Sequence, residues 1–242
     1  MNFFALDTAT ERLSLAILRG EHEFVREIDA GQAHSALTLP AMTSLLREAG
    51  LTLREIDGFV FGQGPGSFTG VRIACGFVQG LALGSQRPLV AISTLLALAE
   101  QAGAPQVLVA QDARMGEFYL AAYVQDAAEA SGWRALVEPM LAAADALPAL
   151  PGGAWHGIGS GFDVAALSAH LDACYGTHIG SVTHQALPRA LDLALIAKRQ
   201  GLLHGAGTDA ATAVALPLYL RNKVALTLAE RVSAKSAPVV PV

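Results

Sequence analysis

Apolar residues fall in short runs broken by polar turns at the start of the chain, and at helical spacing further on. "NFFALDTA", "LSLAILR" and "HEFVREI" read as three consecutive strands, a meander whose first turn is "TER". In "HSALTLPAMTSLLREAG", Leu39, Met42, Leu45 and Leu46 recur at helical spacing and Gly50 marks the end. Pro40 is expected to start or kink that helix. "GFVFG" reads as a buried strand, Val71 to Leu83 as a helix, "LVAI" as a strand, and Ser93 as the N-cap of a helix running to Ala102. The predicted order is βββαβαβα.

"QAGAP", Gln101 to Pro105, has the character of a boundary, which divides the chain into an N-terminal α/β lobe at 1–103 and a C-terminal α/β lobe at 104–242. Past it the pattern begins again. "LDTATERLSLA" lies on "QDARMGEFYLA", which sets Asp7 on Asp112, and Gly62, Gly64 and Gly66 recur as Gly157, Gly159 and Gly161. The expectation is a degenerate duplication of one α/β unit. Helices are expected from Asp163 to Cys174 and from Pro188 to Leu203, and the tail from about residue 233 is expected to fray.

Composition narrows the function classes. A net charge of -5 with only 16 Lys and Arg gives no basic footprint for gripping a phosphate backbone, so any service to nucleic acid needs a partner to hold it. Cys75 and Cys174 lack CxxC spacing, which suggests neither a disulfide framework nor a thiolate zinc site. The longest apolar run, Leu89 to Ala99, is too short to span a membrane, and the start lacks a basic leader. The expectation is a cytoplasmic chain without a membrane.

The segment from Phe61 to Gly84, "FGQGPGSFTGVRIACGFVQGLALG", holds seven glycines where one strand and one helix are expected. Each helical glycine costs about 1 kcal/mol against alanine, so something needs their size or freedom. Neither phosphate fingerprint fits: no lysine completes GxxxxGK(S/T), and Ser67 and Thr69 stand where GxGxxG needs glycine. One reading has the backbone amides at the helix start hold an anion, with Arg72 the cation placed to meet it. The other is a turn stiffened by Pro65 and capped by Ser67 or Thr69. Gly76, Gly80 and Gly84 form a stripe open to close approach, either by the helix at His34 to Gly50 or by a second subunit.

No catalytic set stands out. No two histidines share helical ligand spacing, and Ser160 in "GIGSGF" lacks the GxSxG arrangement. Asp7 and Asp112 end apolar strands, where a carboxylate either holds magnesium around a nucleotide or simply forms a turn. Candidate anion or nucleotide contacts are therefore Asp7, Thr8, Gly64, Gly66, Ser67 and Asp112, with no metal ligands.

"LDTAT", "HSALTLPAMTSLLREAGL", "GQGPGSFTGVRIACGFVQGLALG", "DARMGEFYLAAY" and "PLYLRNKVA" together resemble the bacterial TsaB (YeaZ) family over nearly the whole chain. The resemblance implies the two-lobed, duplicated actin, Hsp70 and sugar-kinase-like (ribonuclease H-like) fold. It implies a noncatalytic subunit for making threonylcarbamoyladenosine beside the anticodon of tRNAs that read codons beginning with adenine. Its partners would be the transferase TsaD and the ATPase TsaE, or a second copy when alone, with tRNA reached only indirectly. No cofactor is implied for this chain, ATP being used by the complex through TsaE and the threonylcarbamoyl-adenylate pathway.

TsaD carries a metal-binding HxxxH, and the matching stretch here, "ISTLLALA", places Thr94 and Leu98 at those positions. Neither replaces an imidazole ligand. By the same resemblance the helices holding His34, Met42 and Leu45, and Arg72, Gly76 and Gly80, form the partner contact. The competing expectation is an independent ATP-dependent phosphotransferase built on Asp7, Asp112 and the glycine turns.

Overall fold

The computed structural model describes residues 1–175, 179–201 and 215–221; the side chain of Cys174, His178, His204 and the tail from 233 lie outside them. The described residues build two five-stranded sheets. The first comprises β1 (Asn2–Asp7), β2 (Arg12–Arg19), β3 (His22–Asp29), β4 (Gly58–Gly62) and β5 (Leu89–Ile92), in the order β3-β2-β1-β4-β5. The second comprises β6 (Gln106–Asp112), β7 (Glu117–Gln125), β8 (Trp133–Ala143), β9 (Trp155–Gly159) and β10 (Ile179–His184). Its order read from β8 is β8-β7-β6-β9-β10, the same path as the first. In both sheets an antiparallel meander is continued by parallel strands, β4 beside β1 and β9 beside β6. The expected duplication is present as topology.

The helices are α1 (His34–Glu48), α2 (Phe68–Ser85), α3 (Thr94–Ala102), α4 (Ala165–Tyr175) and α5 (Ala190–Gln200). Between β3 and β4 the chain makes the fifteen-residue α1, whereas between β8 and β9 it makes only a 3-10 turn at Ala144–Ala146. Pro40 lies inside α1 rather than at its start, and α2 begins three residues before the expected Val71. Ser67 caps α2 by accepting the Gly70 N–H, and Ser93 caps α3 by accepting that of Leu95.

Both faces of the first sheet are covered, which is why β1 reads as an unbroken apolar run rather than an alternation. On one face Phe4, Leu6, Leu15 and Phe61 pack against Met42, Leu45 and Leu46 of α1 and Ala74, Val78 and Ala82 of α2. On the other, Phe3, Ala5, Ala16 and Val60 meet Leu193, Ala194, Ile196 and Ala197 of α5. That helix follows the second sheet in sequence but returns to the first in space. Its Ala190 N–H donates to Ser14 Oγ at 2.7 Å, and the Ser14 hydroxyl donates to Glu27 at 2.7 Å. Conversely α3, which follows the first sheet, sends Leu95, Leu98 and Ala99 into the core with Val107, Val109 and Ile158 of the second. Each unit lends its last described helix to the other, and this exchange sets the two sheets around a shared cleft.

Strand register corrects the alignment of the glycine turns. Phe4 pairs with Phe59 and Val109 with Ile158, so with Asp7 laid on Asp112 the place of Gly62 falls on Gly161, not on Gly157.

Candidate functional site

The glycine turn after β4 is folded directly onto the turn after β1. Ser67 N–H donates to the Ala9 carbonyl at 2.7 Å and the Thr8 hydroxyl donates to the Gly70 carbonyl at 2.7 Å. A Cβ on Gly66 would meet the Ala9 carbonyl at 2.5 Å, and one on Gly70 would overlap the Thr8 carbonyl. Glycine is required at both positions because backbone meets backbone there. Gly64, at φ +96°, supplies the left-handed step that aims the turn.

Asp7 is sealed behind this contact. Its side chain is fully buried, Oδ1 accepts the Ala9 N–H at 2.9 Å, and Oδ2 has no hydrogen-bond partner and packs against Gly62. Burial pushes its pKa up to about 7, against the pull of the Ala9 hydrogen bond. Thr8 is equally buried. Thr94, at one of the two positions where a metal histidine would stand, donates its hydroxyl to the Pro65 carbonyl at 2.7 Å, and Leu98 is buried in the core. Among the described residues no group of three or more His, Cys, Asp or Glu could hold a metal ion.

Between the lobes lies a cleft of about 900 Å³. It is lined by His34, Gly66 and Ser67 on the first lobe and by Gln111, Asp112, Arg114 and Ser160 on the second. Of the candidate anion contacts, the structure thus brings Gly66, Ser67 and Asp112 to the cleft, while Asp7, Thr8 and Gly64 do not line it. Asp112 is spoken for locally: it accepts the Arg114 N–H at 2.8 Å and pairs with the Arg114 guanidinium at 3.2 Å. The Ser160 hydroxyl donates to Gln111 at 2.7 Å and accepts the Asp112 N–H, so no base activates it. The Ser67 hydroxyl is committed to capping.

The helix residues divide differently. Met42 and Leu45 face the first core, and His34 is buried with Nε2 unpartnered, so none of the three offers a broad outer surface. Leu39, from the same apolar pattern, is instead 55% exposed, and Leu83 on α2 is 81% exposed. A Cβ added to Gly76, Gly80 or Gly84 would meet nothing within 4 Å among the described residues, so the stripe is not pressed on α1. Arg72 turns from the cleft: its guanidinium lies 3.8 Å from the Phe68 ring centroid and its Nε donates to the Tyr219 hydroxyl at 2.7 Å. Neither Tyr219 nor Arg221 stands out by spacing or motif, although both lie in "PLYLRNKVA", where an aromatic and a cation so close together in a loop are the legible signal.

Known proteins resemble this arrangement closely. The family model described as "TsaD: tRNA N6-adenosine threonylcarbamoyltransferase" matches residues 27–228. The "tRNA threonylcarbamoyladenosine biosynthesis protein TsaB" of Escherichia coli (strain K12) is 36% identical, covering 93% of this chain and 96% of that relative. Its namesake from Haemophilus influenzae is also 36% identical, covering 93% of this chain and 95% of its own. A solved structure titled "YeaZ from Pseudomonas aeruginosa" superposes with a TM-score of 0.75 at 35% identity, covering 90% of this chain and 99% of that one.

Proposed function

The chain belongs to the TsaB family of tRNA threonylcarbamoyladenosine biosynthesis proteins, and from that premise we propose that it is a noncatalytic subunit of the threonylcarbamoyl-transfer machinery. In this reading it scaffolds or activates a TsaD transferase, with TsaE joining the pair, and forms a homodimer when alone. It works in the cytoplasm, and among the described residues no helix is long and apolar enough to cross a membrane. ATP is consumed by its partners, and tRNA is held by them, in keeping with the acidic balance of this chain.

The observation that carries the reading is the outer face of α2: Gly76, Gly80 and Gly84 have nothing above them among the described residues, and Leu83 projects beside them. Small residues permit close backbone approach, and an exposed leucine supplies apolar area to bury. Of the two carboxylates a phosphotransferase would need, Asp7 is sealed away from the cleft and Asp112 is tied to Arg114.

The test is nucleoside mass spectrometry of tRNA from cells depleted of this protein and complemented with variants. Wild type and Asp7→Asn should both restore threonylcarbamoyladenosine, while Gly80→Trp should fail and lose affinity for TsaD by at least tenfold. Failure of Asp7→Asn alongside unimpaired Gly80→Trp would favour an ATP-dependent phosphotransferase and remove the interface assignment.

A further inference from the structure

Residues 215–221 belong to no helix or strand, yet they are tied to both lobes. On the first lobe, the Ala215 carbonyl accepts the Gln79 side-chain amide at 2.8 Å, and Leu218 N–H donates to the Gln63 carbonyl at 2.7 Å. The Leu218 carbonyl closes over Gly64, and the Tyr219 ring stands 5.3 Å from that of Phe68 while its hydroxyl holds Arg72. On the second lobe, Arg221 pairs with Glu117 at 2.7 Å and donates to the Ala113 carbonyl at 3.0 Å. The Nη1 that pairs with Glu117 also lies 3.7 Å from Met115 Sδ.

The Arg221 side chain is 16% exposed and that of Glu117 35%, so the cation is largely shielded from water while its carboxylate partner is half-buried. The Arg221 bonds also close a turn in which two consecutive non-glycine residues, Arg114 and Met115, hold left-handed backbone at φ 65° and 60°. Such conformations persist where neighbours over-determine them. Arg221 adds to the turn's own bonds, from the Ala113 N–H to the Glu117 carbonyl at 3.0 Å and from the Glu117 N–H to the Arg114 carbonyl at 3.2 Å.

Tyr219 and Arg221 are separated by Leu220 alone, so their backbones span about 7 Å at most. A movement of the lobes apart at this edge by more than a few ångströms therefore breaks one anchor or the other. We propose that residues 215–221 form a latch that couples the opening of the cleft to the cover on the N-terminal end of α2. With the cleft closed, Tyr219 caps Phe68 and Arg72; with it open, either the Ala113–Glu117 turn is freed or the end of α2 is uncovered. The inference concerns this chain alone and stands whether or not the assigned partner is correct.

Hydrogen exchange of the full chain tests it through reciprocity. Arg221→Ala, which removes the second-lobe anchor, should speed exchange at least tenfold at Leu218 and in the first turn of α2, on the opposite lobe. Tyr219→Ala should in turn speed exchange at Ala113 and Glu117. Acceleration confined to the mutated side in both variants would overturn the latch. Should either alanine variant exchange rapidly throughout, Arg221→Lys and Tyr219→Phe decide, with the same reciprocity expected at smaller amplitude and its absence counting against the latch.

Discussion

Asp7 and Asp112 each close the first strand of a sheet with the same topology, and each accepts a backbone N–H two residues on. Their surroundings are opposite. Asp7 is fully buried with one oxygen unpartnered, whereas the Asp112 side chain is 25% exposed and paired with an Arg114 side chain that is 85% exposed. The difference traces to where the glycines dock. In the first lobe Gly66 and Gly70 press on the turn itself, at Ala9 and Thr8, and seal it. In the second, Gly159 and Gly161 press on Ala110, before the end of the strand, and leave the turn open to the cleft and to Arg221. A repeated backbone path does not repeat an environment; the station at which two backbones touch decides which carboxylate is structural and which lies at the surface.

The most damaging way to break this contrast is to force the first contact apart. Gly70→Ala puts a methyl into the Thr8 carbonyl, with backbone on both sides and no flexible side chain to yield. The expected loss is about 3 kcal/mol or more, seen as a Tm lower by roughly 10 °C in a chain of this length. Gly161→Ala meets Ala110 at 3.0 Å, which is less severe, and should cost about half as much. Equal losses would mean that the second turn is as tightly sealed as the first.

Next in size is the charge on Asp7. Its pKa is about 7 folded against 3.8 when free, so the folded state binds the proton more tightly. Its contribution to stability is therefore full at low pH and fades as pH rises from about 4 to about 7. Asp7→Asn removes the charge with little change of shape. It should leave stability unchanged near pH 4 and raise it at pH 8, by on the order of a few kcal/mol. Denaturant titrations of both proteins across that range read the effect directly. A wild-type curve that rises with pH over this window would mean that Asp7 is ionised and paired.

How far the sequence carried these distinctions follows from range. The meander, α1, β4, α2 and α3 were legible because periodicity and caps are local, and Ser67 and Ser93 do cap as their spacing suggests. The burial of Asp7 was not, since it depends on Gly66 and Gly70 meeting a turn far away in the chain. Likewise nothing local says that α3 and α5 exchange sheets, or that Leu39 faces outward while Met42 and Leu45 face in. The glycines of one stretch serve two ends: Gly66 in the turn and Gly70 in the first turn of α2 admit the backbone of Ala9 and Thr8, whereas Gly76, Gly80 and Gly84 further along α2 have no neighbour among the described residues.

That second set gives a smaller and opposite prediction. Gly76→Ala and Gly80→Ala add a methyl to open space within a helix, where alanine is favoured by about 1 kcal/mol. Each should stabilise the isolated chain by roughly 0.5–1 kcal/mol, while binding of a partner to the same face should weaken. A destabilised monomer would place an unseen neighbour over the stripe.

The smallest effect is expected at Asp112, and it sharpens the comparison most. Asp112→Asn keeps an oxygen to accept the Arg114 N–H and loses only the ion pair with a guanidinium that stands in solvent. Pairs of this kind contribute about 0.5 kcal/mol or less and are screened by salt. The variant should therefore lie within about 0.5 kcal/mol of wild type at low salt and converge with it at high salt. A loss above about 2 kcal/mol, insensitive to salt, would mean that Asp112 holds the left-handed Arg114–Met115 turn through more than its local bond, and that the two aspartates are structurally alike after all.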